Sequence, residues 1–192
     1  MFKDLIIVPN FFDNPNEIVK IAKSNKFYSH TEHPQDKNTN IYYGGKRSEV
    51  IDEYTNNILM DTFIRKVVLS DIPKDTQRSA TYNGKGYFHY FPKEYIGGQT
   101  QIHQDSDFLS AVIYLSDKKL ENPEKHGTIV FNQNEQSFVM PYSYNTLIMY
   151  RSDFMHAPLA GFGDTEQDGR LSLVFTVQTL KLEITRHSRN TV

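Results

Sequence analysis

The chain of 192 residues is long enough for one well-buried core and too short for two ordinary domains. Its 21 Lys and Arg are balanced by 23 Asp and Glu, a net charge of -2, so no broad positive field favours a nucleic-acid backbone. It has no cysteine, which excludes disulfides, thiolate metal sites and cysteine nucleophiles and leaves His, Asp and Glu as the strong metal ligands.

The opening Met1-Phe-Lys-Asp has no basic leader before an apolar stretch, and runs such as Leu5 to Val8 are too short to span a bilayer. A soluble cytoplasmic protein is therefore expected, with no membrane partner. No repeat or low-complexity tract divides the chain. We read one domain over 1–192, with helical support over 1–75 and a β-rich core over 79–180.

Asn14 followed by Pro15 and Glu17 predicts a helix start, and Ile18, Val19, Ile21 and Ala22 supply its apolar face. Residues 31–47 are polar and rich in Asn and Gly, as in a surface loop. A second helix is expected from near Ser48, with Ile51, Tyr54, Ile58, Leu59, Phe63 and Val67 as a core-facing stripe, ending before Pro73.

From about residue 79 the pattern turns to short β-rich runs, near 80–91, 99–105, 108–116, 127–131, 136–140, 146–151, 155–158 and 170–179. The class is mainly β (α+β), and so many short strands predict an antiparallel jelly roll or barrel. Side chains alternate across a strand, which sorts the faces by number. Arg170, Ser172, Val174, Thr176 and Gln178 share one face of the last strand, and Leu171, Leu173, Phe175 and Val177 the other. Ser110, Val112 and Tyr114 oppose Leu109, Ala111, Ile113 and Leu115. Gln99, Gln101, His103 and Asp105 are expected together on a third strand. The apolar faces would lie under the helices and the polar faces would line a cleft.

His103 and Asp105, two residues apart on one strand face, can grip a single metal ion, and His156 can add a third ligand from a distant strand. Two His and one carboxylate leave coordination positions open, as non-haem iron(II) oxygenases require. The alternative for these histidines is a structural or surface role. Arg170 and Ser172 could anchor a carboxylate through the guanidinium fork and a hydroxyl, while a surface ion pair with Asp168 or Asp164 is the competing reading for Arg170.

In order along the chain stand Tyr-Phe-Pro at 90–92, His-x-Asp at 103–105, Ala-Val-Ile-Tyr-Leu-Ser at 111–116, Gly-Thr-Ile-Val-Phe at 127–131, Pro141 with Asn145-Thr-Leu-Ile-Met-Tyr, Arg-Ser-Asp-Phe-Met-His at 151–156 and Arg-x-Ser at 170–172. Together they resemble the 2-oxoglutarate/Fe(II)-dependent dioxygenases, especially the prolyl-hydroxylase-like branch. The stretch at 8–17, Val-Pro-Asn-Phe-Phe-Asp-Asn-Pro-Asn-Glu, resembles the opening of small phage-encoded members, which would put the protein in a host cytoplasm.

The resemblance implies a double-stranded β-helix with the N-terminal helices packed on its major sheet. It also implies Fe(II) on His103, Asp105 and His156, 2-oxoglutarate as cosubstrate and O2 as oxidant. Arg170 would hold the distal carboxylate of 2-oxoglutarate, with Ser172 and Tyr114 assisting; packing with a satisfied hydroxyl is the other reading of Tyr114. Tyr90 and Gln101 are expected to face the same cleft. The implied activity is hydroxylation of a protein side chain or small metabolite with release of succinate and CO2.

Two departures stand out. The gap from His156 to Arg170 is longer than in the prolyl-hydroxylase pattern and contains Gly161, Gly163 and Gly169, which predicts an inserted mobile loop, and Asp107 could compete with Asp105 as ligand. Nucleic-acid demethylases of the same superfamily carry a second arginine six residues beyond the first, where this chain has Thr176. Another class altogether, a cupin-like binding or structural jelly roll without redox chemistry, would use the same fold.

Solvated roles are expected for His30, His33, His126 and His187, and a satisfied core role for His89. Lys181, Arg186 and Arg189 read as a charged end without base-stacking aromatics. Candidates for a substrate lid are residues 31–47, with Tyr42, Tyr43 and Arg47, and residues 160–169. The substrate is left open between a protein side chain and a small metabolite, and the oligomeric state is open too.

Overall fold

The structure, a computed structural model, describes residues 4–35, 43–70, 72, 77–98 and 101–185. Tyr42, Pro73, Gln99, Arg186, His187 and Arg189 lie outside the described residues.

Helix α1 (Pro15–Ser24) starts where expected, with Pro15 in its first turn, although the Asn14 side chain makes no capping bond. Ala22 is buried, and Ile18, Val19 and Ile21 pack against the same core. Helix α2 (Glu53–Phe63) begins five residues after the expected start, capped by Asp52, whose carboxylate accepts from Thr55 N at 3.0 Å. Residues 48–51 are tied to a strand instead, Ser48 N donating to Phe88 O and Ile51 N to Gly86 O, both at 2.9 Å.

Tyr54 and Ile58 are 77% and 49% exposed, so the expected stripe is wrong at these two positions. The buried face of α2 runs through Asn56, Leu59, Met60 and Phe63 and continues over Ile64, Val67 and Val68 in a π-helical turn, Ile64–Val68. The sheet dictates this choice. A Cβ at Gly84 would fall 2.3 Å from Met60 Cε, so the missing side chain makes the hollow that Met60 fills, and Asn56 Nδ2 donates to Gly84 O beside it.

Six strands form the major sheet in the order β1-β7-β4-β9-β3-β2, and three form the minor sheet in the order β6-β5-β8, each neighbouring pair antiparallel. The major sheet comprises β1 (Leu5–Val8), β2 (Lys46–Arg47), β3 (Gln77–Phe91), β4 (Leu109–Tyr114), β7 (Leu147–Arg151) and β9 (Arg170–Thr185). The minor sheet comprises β5 (Thr128–Phe131), β6 (Ser137–Met140) and β8 (Met155–Pro158). The second half of the chain winds between the two sheets as a double-stranded β-helix, a jelly roll. Strand β1, read from sequence only as an apolar run, completes one edge against β7.

The face assignments of β4 and β9 hold. Leu109, Ala111, Ile113, Leu115, Leu171, Leu173, Phe175 and Val177 join the helices in one core, where Phe63 and Phe175 rings lie 6.0 Å apart. Val112 and Tyr114 belong to a second cluster between the sheets, with Val130, Tyr142, Tyr150 and Phe162. The expected strand at 99–105 is not a ladder. Among its described residues a single bridge, His103 to His156, is made by His103 N to His156 O at 3.0 Å and His156 N to His103 O at 2.9 Å.

Candidate active site

That bridge, with Asp105 N donating to Ser152 O at 3.0 Å, brings the three expected metal ligands together. His103 Nε2 lies 3.7 Å from Asp105 Oδ1, His156 Nε2 lies 3.5 Å from Asp105 Oδ2, and one donor atom from each residue falls within 4.8 Å of the others. Asp107 does not join this group.

Both imidazoles are oriented from behind. The ring Nδ1 of His103 faces Gln101 O at 2.8 Å and that of His156 faces Phe154 O at 2.9 Å. A carbonyl only accepts, so each Nδ1 carries the proton and each Nε2 lone pair is turned toward the cluster. Burial lowers the His156 pKa, which keeps that ring in the neutral, coordinating form. Ser110 Oγ donates to Asp105 Oδ2 at 2.5 Å and itself meets Ser152 Oγ at 2.8 Å, so a pair of buried hydroxyls fixes the carboxylate.

The cluster opens on a cavity of about 320 Å³, at the small end of ligand pockets, which Arg170 also lines. Arg170 is 1% exposed. Its Nε donates to His126 O at 2.6 Å and its Nη2 to Gly127 O at 2.9 Å, whereas Nη1 has no partner. The guanidinium lies 4.6 Å over the Phe91 ring and 5.8 Å from that of Tyr114. The expected alternative, an ion pair with Asp168 or Asp164, is not made. Asp164 pairs with Lys93, and the Asp168 carboxylate lies 3.5 Å from Lys118.

Tyr114 OH donates to Thr128 Oγ1 at 2.9 Å, and Ser172 Oγ reaches His89 O at 3.4 Å. Burial raises the Tyr114 pKa, so the phenol stays a hydrogen-bond donor. Ser110, Ser152 and Thr128 were not singled out from sequence. Ser110 could have been, because it shares the strand face of Tyr114, whereas Ser152 and Thr128 become visible only through strand pairing.

Several expectations are corrected here. Tyr90 packs into the helix-side core, because the cavity-facing residues of β3 are Tyr87, His89 and Phe91. Gln101 does not line the cavity; it contributes its carbonyl to His103. His33 is buried and bonded to Ser48 O at 2.9 Å, and His126 is half-buried with Nδ1 3.0 Å from Ala160 O, so neither is solvated. His89 is satisfied, as expected, by Gly44 O at 3.0 Å, but on the cavity wall. The Gly-containing insert is tied down. Asp168 accepts from Asp164 N, Thr165 N and Thr165 Oγ1, Phe162 is buried, and none of residues 160–169 lines the cavity. Of the other candidate lid, the described residues Tyr43 and Arg47 do line it.

No family model matches the chain, and no curated protein matches it by sequence. Solved structures do match in fold. A prolyl-4-hydroxylase from Pseudomonas putida superposes with a TM-score of 0.62 at 14% identity over 96% of this chain and 94% of its own. A prolyl hydroxylase from Trichoplax adhaerens, in complex with a hypoxia inducible factor peptide fragment, gives 0.59 at 13% over 91% and 83%. HygX from Streptomyces hygroscopicus, with nickel, 2-oxoglutarate and hygromycin B bound, gives 0.54 at 11% over 91% and 82%. The chain thus has the fold of the 2-oxoglutarate/Fe(II) oxygenases, prolyl hydroxylases among them.

Proposed function

We propose that the chain is an iron(II)- and 2-oxoglutarate-dependent oxygenase that hydroxylates a C–H bond of a protein side chain or small metabolite and releases succinate and CO2. One observation carries the reading: a single cavity joins two His and one carboxylate to a buried guanidinium with an unpartnered Nη1. A buried charged donor left idle is costly, and a carboxylate supplied by a ligand would satisfy it.

His103, Asp105 and His156 would hold the ion, a donor set suited to iron(II) with open positions. Bound there with 2-oxoglutarate, the iron would supply the oxidising chemistry toward O2. The protein's part is positional. Arg170 would bind the distal carboxylate through Nη1, helped by the hydroxyls of Tyr114, Thr128 and Ser172. Ser110 and Ser152 would keep Asp105 aimed at the ion. Val112, Val174, Phe91 and Tyr150 supply apolar wall that keeps water out. The fold neighbour HygX binds 2-oxoglutarate and a divalent metal, which supports the reading.

The test is anaerobic reconstitution with iron(II), addition of 2-oxoglutarate and air, and assay of succinate. The wild type is expected to form succinate slowly without substrate, and His103→Ala to form none. Equal succinate from both proteins would refute the assignment, and none from either would point to a binding protein on a jelly-roll scaffold.

A further inference from the structure

Five phenols line the cavity or pack in the cluster between the sheets, and the protein supplies a partner for four of them. Tyr114 OH donates to Thr128 Oγ1 at 2.9 Å. Tyr142 OH accepts from Ser116 N at 2.7 Å and donates to Leu171 O at 3.2 Å. Tyr43 OH reaches Tyr28 O at 3.5 Å, and the Tyr87 hydroxyl is engaged by the Arg47 side chain. The fifth, Tyr150, makes no hydrogen bond through its hydroxyl among the described residues. It is 2% exposed and lines the cavity, so a partner for that hydroxyl can come from the cavity.

Strand pairing puts Tyr150 with the metal cluster. It stands across from Ser110, whose hydroxyl donates to Asp105 Oδ2, and cross-strand partners share a face. Its ring centroid lies 4.6 Å from that of His156. Arg170, whose Nη1 is the other donor without a partner, belongs with Tyr114, 5.8 Å from that ring. Ser110 and Tyr114 are four residues of extended strand apart, about 13 Å. One idle donor therefore attends the metal cluster and the other the Tyr114 level of the cavity. A phenol is a donor at neutral pH, and a buried donor without an acceptor is costly. A 2-oxo dicarboxylate carries acceptor oxygens at both of its ends.

We propose that the Tyr150 hydroxyl donates a hydrogen bond to the 2-oxo acid end of 2-oxoglutarate, at its 1-carboxylate or keto oxygen, while Arg170 holds the other carboxylate. Resting on the oxygenase reading, this makes Tyr150 a cosubstrate-binding residue: its ring is wall, and its hydroxyl orients the end of the cosubstrate that meets the metal.

Wild type and Tyr150→Phe are loaded with zinc(II), a redox-inert ion, and titrated calorimetrically with 2-oxoglutarate, alone and in competition with 2-oxobutyrate. The second acid keeps the 2-oxo acid end and lacks the distal carboxylate. Both acids are expected to bind the variant about tenfold more weakly than wild type, as loss of a hydrogen bond to an anion implies. Zinc affinity and ligand-free Tm should stay at their wild-type values, because the deleted hydroxyl has no partner in the protein. Unchanged 2-oxoglutarate affinity, a loss that spares 2-oxobutyrate, or failure of 2-oxobutyrate to compete in wild type would each overturn the proposal. So would a variant of lowered Tm or one that does not fold, since the hydroxyl would then serve the fold. Wild type that binds zinc but not 2-oxoglutarate would sink the oxygenase reading itself, whereas equal binding by wild type and variant sinks the role of Tyr150 alone.

Discussion

Arg170→Met separates what the buried guanidinium does for the fold from what it does for a ligand. Two hydrogen bonds from a charged donor, to His126 O and Gly127 O, contribute about 3–6 kcal/mol together. Burying the cation where no carboxylate among the described residues faces it costs several kcal/mol, on the order of the same amount. Methionine relieves the charge and strands two carbonyls. The ligand-free variant is therefore expected within about 2 kcal/mol of wild type. The ligand-bound state is different. At a hundred times its Kd, 2-oxoglutarate stabilises wild type by about 2.7 kcal/mol, which for a chain of this length raises Tm by about 5–11 °C. The assay is thermal unfolding followed by circular dichroism in zinc(II), a redox-inert ion, with and without 2-oxoglutarate. The variant should lose the ligand-induced rise while its ligand-free Tm moves little. A rise that persists in Arg170→Met would refute the assignment of Nη1 to the cosubstrate.

Ser110→Ala deletes the hydrogen bond to Asp105 Oδ2 and should weaken zinc binding about 10–100-fold by calorimetry, with unchanged affinity counting against a positioning role. His89 stays neutral in the folded chain down to about pH 3 but takes up a proton near its ordinary 6.5 when unfolded. The unfolded state therefore binds more protons in that window, so stability is full above about pH 6.5 and falls as the pH drops toward 3. After allowance for partial exposure the loss is roughly 2–4 kcal/mol. His89→Gln, which can still donate to Gly44 O, should flatten this dependence in urea titrations between pH 7.5 and 5, and a slope equal to that of wild type would contradict the account. Gly45→Ala forces a side chain into left-handed backbone against Tyr90 O and should lower the urea midpoint by an amount worth at least about 1–2 kcal/mol; an unchanged midpoint would show that the turn relaxes freely.

The chemistry-bearing positions were legible because strand alternation and motif order act over a few residues. Spacing offered His103 and Asp105, and the parity of β9 and β4 offered Arg170, Ser172 and Tyr114, but it was the ordered set of motifs resembling the dioxygenases that singled them out. What escaped depends on contacts distant in sequence. Ser152 and Thr128 reach the site through pairings 42 and 14 residues away in sequence, with Ser110 and Tyr114. The start of α2 moved to Asp52 because residues 48–51 bond to β3, and its buried face turned because Gly84 opens a hollow for Met60. Apolar periodicity contains none of that. The parity of β3 was misjudged at Tyr90, since Tyr, Phe and His occupy both of its faces and aromatic character alone does not say which face meets the helices.

The two faces of β9 also explain how so little identity accompanies so close a likeness of fold. Toward the helices, Leu171, Leu173, Phe175 and Val177 need only fill volume, and volume-conserving apolar exchanges there usually cost under about 1.5 kcal/mol. Between the sheets, Arg170 donates to His126 O and Gly127 O and Ser172 to His89 O, and no isostere reproduces the bonds of a guanidinium fork. Sequence can drift on the first face while the strand order and the cavity persist, which is consistent with 14% identity alongside a TM-score of 0.62. Across β3 the same division holds, with Phe88 and Tyr90 in the helix-side core and Tyr87, His89 and Phe91 on the cavity. Substitutions that change ligand affinity without first dismantling the core are therefore expected on the cavity side of β3 and on the Tyr43–Arg47 segment laid against it.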